Sequence, residues 1–220
     1  MKKLAIAICM AMTLAACSAE EPPNPNSYLT VTPSTEYELV DGLTKLSVDL
    51  ENLCGQEVIV TTYHCAVNDY MHTPNFHTPM RPGEKKTIQL DIVNDEIGGE
   101  VKDVDLGFQV YDSKTYEIIG NVFIPTTTIN QHAKVQRVGG EILYDGKSIR
   151  IRQMEDGRLL VENRTKDELL VSMDGEPWPW CQAITDNNSY IISEGLITPP
   201  MHVKVFLGYT NEVVEEFDLK

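Results

Sequence analysis

An eleven-residue pattern occurs twice without a gap. Leu50-Glu51-Asn52, three residues, then Gln56-Glu57-Val58-Ile59-Val60 returns 111 positions later as Val161-Glu162-Asn163, three residues, then Asp167-Glu168-Leu169-Leu170-Val171. A pattern repeated at that distance means one supersecondary arrangement built twice, which rules out most single-core folds. Around both copies the apolar residues alternate, as in Leu46, Val48 and Leu50, then Val104, Leu106, Phe108 and Val110, and again Met201, Val203, Val205 and Leu207. Alternation at period 2 is the mark of strands with one buried face. Turn dipeptides such as Asp41-Gly42, Pro82-Gly83, Asp145-Gly146 and Asn187-Asn188 punctuate these runs, in the rhythm of a β-sandwich. No sustained apolar stripe at helical spacing is present, and only residues 92–101 read as a short helical turn. The expected fold is all-β: two tandem immunoglobulin-like antiparallel β-sandwich domains.

Within the repeat, the Asn side chain caps a tight turn and the apolar triplet re-enters the core, so Asn52 and Asn163 are read as structural. The upstream segments 36–40 and 148–152, and the downstream segments 104–110 and 203–209, extend the match. The copies differ between the Asn and the late strand, where the first has extra residues around 61–80. The boundary falls near residues 135–139, giving domain 1 as 28–136 and a smaller domain 2 as 137–220. A second sandwich that short is expected to lean on the first.

The chain opens with Lys2 and Lys3, an uncharged apolar run over residues 4–16, and Leu14-Ala15-Ala16-Cys17. That is a signal-peptide layout, and the run is well short of the roughly 20 residues that span a bilayer. Leu-Ala-Ala-Cys resembles the lipobox of bacterial lipoproteins, which implies a lipid on the Cys17 sulfur and cleavage after residue 16. Two or three acyl chains, at about 0.8 kcal/mol per buried methylene, hold a protein stably at a membrane. Residues 17–27, with three prolines and no large apolar side chain, read as a disordered tether. The expected localisation is the cell membrane, lipid-anchored on its extracytoplasmic face.

Acidic residues number 33 against 18 basic ones, for a net charge of −15. Loss of Lys2 and Lys3 with the signal takes this to −17. Such a field keeps a protein soluble, attracts cations and basic partners, and disfavours nucleic acid. Of the five cysteines, Cys54, Cys65 and Cys181 remain once Cys9 and Cys17 are set aside. Cys54 and Cys65 are read at opposite ends of one strand. At about 3.3 Å per residue their separation exceeds the roughly 7 Å limit for bridging Cα atoms. Buried thiols acting as small hydrophobes are the expectation, with a bridge to Cys181 left open.

Glu51-Asn52, Val58-Ile59-Val60, Val67-Asn68-Asp69-Tyr70, Arg81-Pro82-Gly83-Glu84-Lys85-Lys86 and the run Val104-Asp105-Leu106-Gly107-Phe108-Gln109-Val110-Tyr111-Asp112 resemble the immunoglobulin-like domains of small uncharacterised lipoproteins from Gram-positive bacteria. The resemblance covers residues 46–124, and is carried in the second half by the Val-Glu-Asn segment and the last strands. It implies an extracellular β-sandwich with no assigned activity.

His64, Cys65, Asp69, His72 and His77 gather zinc or copper ligand types in fourteen residues. Their spacing matches no ligand signature, since neighbours on a strand point to opposite faces. Residues 70–80 are missing from the second copy, and loops carry function more often than strands. Tyr70, His72, Asn75, Phe76 and His77 are therefore the candidate binding loop. Trp178 and Trp180, flanked by prolines, are the candidate aromatic contact for a sugar ring or a partner side chain. No Gly-x-Ser-x-Gly, His-Glu-x-x-His or phosphate-cradling glycine loop occurs. The sequence-based expectation is a non-enzymatic binding or assembly module of the cell envelope, without cofactor or metal. It would contact the membrane through Cys17 and an envelope protein or a glycan through its loops. A metal-binding or hydrolytic protein using His64, Cys65, His72 and His77 is the first alternative, and a passive surface spacer the second.

Overall fold

The computed structural model describes residues 28–136, 139–177, 180–192, 197–210 and 212–220. The signal segment, the tether with Cys17, and Trp178 lie outside them.

The alternating apolar residues form strands throughout, and among the described residues the only helical element is a 3-10 turn at Asn94–Glu96. In the first half, β1 (Leu29–Val40), β2 (Leu43–Asn52) and β7 (Lys85–Val93) make a three-stranded antiparallel sheet in the order β1-β2-β7. Asp41 and Gly42, both at positive φ, supply the two-residue turn between β1 and β2. The opposing sheet holds β6 (His77–Met80), β3 (Val58–Thr62), β8 (Asp103–Asp112) and β9 (Ile118–Thr128), paired in that order. Inward residues of both sheets, among them Leu46, Val48, Val60, Leu90, Phe108 and Val122, meet in one buried core. Two sheets with Greek-key crossovers and a shared core are an immunoglobulin-like sandwich.

The second half repeats the plan. β11 (Ile149–Gln153), β12 (Leu159–Asn163) and β15 (Ser189–Ile192) correspond to β1, β2 and β7, and β10 (Glu141–Asp145) extends this sheet. β14 (Trp180–Ile184), β13 (Leu169–Pro177), β16 (Ile197–Leu207) and β17 (Val213–Leu219) correspond to β6, β3, β8 and β9.

The hinge of the equivalence is the repeated asparagine. Asn52 Nδ2 reaches the carbonyls of Gln56 (3.0 Å), Met80 (3.1 Å) and Arg81 (2.9 Å), while its Oδ1 accepts from the Cys54 amide at 2.8 Å. Asn163 does the same to Asp167 (2.8 Å), Ile184 and Thr185 (both 3.0 Å), and accepts from Thr165 at 2.9 Å. Each buried amide thus staples the end of one sheet to a strand of the other.

The flanks of the repeat need correcting. Asn52 pairs with Leu29 and Asn163 with Ile149, so residues 29–33, not 36–40, correspond to 149–153. Likewise β3 and β13 place residues 108–112, not 104–110, opposite 203–207. Sliding an alternating pattern by an even number preserves every inward position, so the pattern alone does not select among these registers.

The extra residues of the first copy join the halves. After β3 the chain kinks at His64, which has φ 50°, and resumes along the same edge of β8 as β4 (Ala66–Val67). Asn68 and Asp69, both at positive φ, turn it back into β5 (Tyr70–Met71), which pairs in parallel with β15 through Tyr70 and Ser189. The Ser189 amide donates to the Asp69 carbonyl at 2.9 Å. A ten-stranded sheet therefore runs through both sandwiches. The cores interlock as well: Met154, Leu160 and Ile191 pack into the first, Ala66 and Met71 into the second. The short second sandwich leans on the first by sharing its core.

Candidate functional site

Period-2 alternation gives each sandwich two outward sheet faces, and three of the four carry charge. On the β2–β7 face, Lys45 lies opposite Asp91, and Glu51 pairs with Lys85 at 3.3 Å. On the β11–β12 face, Arg150 and Arg152 flank Glu162, with Arg152 2.8 Å from it. On the β16–β17 face, His202 sits 2.8 Å from both Glu216 and Asp218. These two carboxylates raise the His202 pKa above its ordinary value.

The fourth face, on β6, β3, β8 and β9, carries no Asp, Glu, Lys or Arg in its central rows. One cross-strand row reads His77, Thr61, Gln109, Asn121; the next reads Pro79, Ile59, Tyr111, Ile118. The polar row is ordered by its own bonds. The Tyr111 hydroxyl donates to Gln109 Oε1, and Gln109 Nε2 donates to Asn121 Oδ1 at 3.1 Å. Beyond that row, Tyr63 and Phe123 lean over Gly107, with ring centroids 6.1 Å apart. A Cβ at Gly107 would overlap the Tyr63 carbonyl and press on the Phe123 ring, so only glycine allows the two to close over β8.

The rings continue across the junction. Tyr63 stacks on His64 at 3.9 Å, and His64 on Tyr209, in the turn between β16 and β17, at 6.1 Å. His64 Nδ1 lies 3.2 Å from Glu168 Oε2, and Nε2 lies 3.1 Å from the Tyr209 hydroxyl. Burial pushes the His64 pKa below its usual value, against the pull of Glu168. As the neutral ring it donates from Nδ1 to the carboxylate and accepts at Nε2 from Tyr209. At the ends of the run Phe123 and Tyr209 are 52 % and 65 % exposed.

The loop chosen from sequence divides differently. Tyr70 and His72 are buried, not presented: Tyr70 pairs with the second sandwich, and His72 sits 2.9 Å from Glu96 and accepts from the Val93 amide at 3.4 Å. The polar letters suggested solvent, but Val67, Tyr70 and Met71 face cores on either side of the junction and draw the segment inward. Phe76 is partly buried against the first core, and Asn75 and His77 are exposed, His77 on the uncharged face. Trp178 lies outside the described residues, and for Trp180 only its backbone, in β14, lies within them.

His64, Cys65, His72 and His77 do not converge. The kink sends His64 to Glu168, Cys65 into the core under Gly107, His72 to Glu96 and His77 to β6. Among the described residues no three His, Cys, Asp or Glu side chains are grouped to hold a metal. The constellation seen in the sequence is thus a product of chain proximity that strand geometry disperses. A cleft of about 510 Å³ at the junction is bordered by Arg150, Arg152 and Arg164, whose guanidiniums are engaged by Asp145 and Glu162.

Burial pushes the Cys65 thiol up to about 11, and its sulfur lies 3.4 Å from the Gly107 carbonyl. The thiolate is the reactive form. In native protein at pH 8, Cys65 is expected to resist iodoacetamide, and to react only after denaturation, as peptide mass spectrometry would read. Rapid native alkylation at Cys65 would contradict this packing.

No protein-family model matches the chain, and a comparison with curated proteins finds no match. Among solved structures it is similar to the YadV chaperone, with 9 % identity and a TM-score of 0.29 over 86 % of this chain and 98 % of that one. It is also similar to a chain of the Salmonella enterica SafA pilin in complex with the SafB chaperone, with 12 % identity and a TM-score of 0.27 over 86 % and 95 %. At these scores neither likeness carries an argument about this chain, whose sandwich fold rests on its own strand order and hydrogen bonds.

Proposed function

We propose that this protein is a lipid-anchored, extracytoplasmic, non-enzymatic binding or assembly module of the cell envelope, and that it makes contact through the outward face of β6, β3, β8 and β9. The Lys2-Lys3 start, the apolar run and Leu14-Ala15-Ala16-Cys17 support the anchor. The observation that carries the binding reading is the absence of Asp, Glu, Lys and Arg from the two central rows of one sheet face, in a chain with net charge −15. Solubility alone favours charge on every outer face. A face that forgoes it, with ordered amides and exposed rings, is built for contact.

The test is photo-crosslinking in cells that express the lipidated chain, with benzophenone placed at Ile118, 56 % exposed at the edge of this face, or at Gln89 on the β7 face. An adduct of higher mass at position 118 and none at 89 is the expected result. Adducts at both positions alike, or at neither, would reject the reading; the second outcome is what a passive spacer predicts. Release of a Cys17→Ala variant from the membrane fraction checks the anchor.

A further inference from the structure

Taking that binding face as its premise, we infer that the face takes an uncharged polysaccharide chain. Sugars present hydroxyls and the C–H faces of their rings. They are held by planar amides and hydroxyls that both donate and accept, and by aromatic rings that cover the C–H side.

The two rows of the face supply both kinds of group. Thr61, Gln109 and Asn121 form the polar row, with His77 at its β6 end. The bond series from Tyr111 through Gln109 to Asn121 fixes the amide orientations and leaves the Asn121 nitrogen as the donor end. Groups held in place before binding lose little freedom on contact. Phe123, 52 % exposed beside that end, and Tyr63 behind it supply the aromatic wall.

Charge decides among occupants. An anionic glycan, a phosphate polymer or an acidic lipid surface would meet no Lys or Arg in these rows, Asp105 farther along β8, and a net charge of −15 behind it. Membrane-surface binding draws on Lys and Arg, and neither is present in these rows. Its aromatic rings suit a sugar's C–H face and a protein contact alike; what favours the sugar is the row of oriented amides and hydroxyls, whose paired donors and acceptors match a polyol. A neutral polyol fits both the hydrogen-bonding row and the absence of charge.

Affinity electrophoresis of the full chain in detergent tests this, in native gels cast with amylose, glucomannan or a soluble β-glucan, and with polygalacturonate as the anionic counterpart. Retardation by at least one neutral polymer and not by polygalacturonate is expected. A Phe123→Ala, Asn121→Ala double variant should weaken it about tenfold, and Gln89→Ala should leave it unchanged. If the double variant loses its thermal transition, Phe123→Ala alone takes its place, since that ring is 52 % exposed and its removal takes away the aromatic wall without emptying a buried site.

No retardation by any neutral polymer, retardation that survives these variants, or equal retardation by polygalacturonate would overturn the inference. A protein adduct at position 118 in the crosslinking experiment would then leave the binding reading standing with a different occupant. Empty results in both experiments would remove both.

Discussion

Replacing Asn52 by Ala is expected to lower the stability of the whole chain by several kcal/mol, and replacing Asn163 to do the same. Each amide is buried and satisfies three carbonyls and one backbone amide. Truncation strands those groups where water does not replace the lost partner, and a buried polar group left unsatisfied costs roughly 1–3 kcal/mol. Set against a typical total of about 5–15 kcal/mol, the loss is large. For a chain of this size it corresponds to a fall in Tm on the order of 10 °C. Asn52→Asp should be no milder, because a second oxygen then faces the Gln56, Met80 and Arg81 carbonyls that the nitrogen now serves. Chemical denaturation of the three variants checks this. An Asn52→Ala curve within about 1 kcal/mol of the parent would show that the turn holds without its staple.

The same asparagines show what the sequence could convey. A polar residue held at one spacing in two otherwise different segments had a local reason, a turn to cap, and that reason was readable. Its longer reach, to Met80 and Ile184 in strands far along the chain, was not, because those partners contribute carbonyls that every residue has. The burial of Tyr70 and His72 was hidden for a related reason. Tyr70-Met71-His72 has the composition of a surface turn, and what buries it is the first core around Tyr70, Glu96 and Val93 beside His72, and the second core around Met71. Likewise, the uncharged face exists only once β6, β3, β8 and β9 are in register. Its one local trace was Gly107, a glycine amid an alternating strand, which marks close approach of another group.

Met71 tests whether the two sandwiches behave as one body. It belongs by sequence to the first half, yet it is 3 % exposed within the second core, with the Thr185 hydroxyl 3.1 Å from its sulfur. Met71→Ala should cost about 2–5 kcal/mol, the range for emptying a buried site of that size. Met71→Asp goes further. A carboxylate placed among Ile149, Val161 and Val171 has no cation to meet, so β5 should leave the second core instead of burying it. With the splice withdrawn, the side-chain bonds left across the junction among the described residues, His64 to Glu168 and to Tyr209 and Arg158 to the Asp95 carbonyl, are partly exposed and weak. Calorimetry separates the cases. The parent is expected to unfold in one transition, with calorimetric and van't Hoff enthalpies equal, and Met71→Asp in two. The lower transition should belong to the second sandwich, which has the smaller core and loses Met71 from it. A single undivided transition in Met71→Asp would mean that the Met154, Leu160 and Ile191 contacts with the first core suffice to hold the halves together, and that the extra residues of the first copy are not the splice.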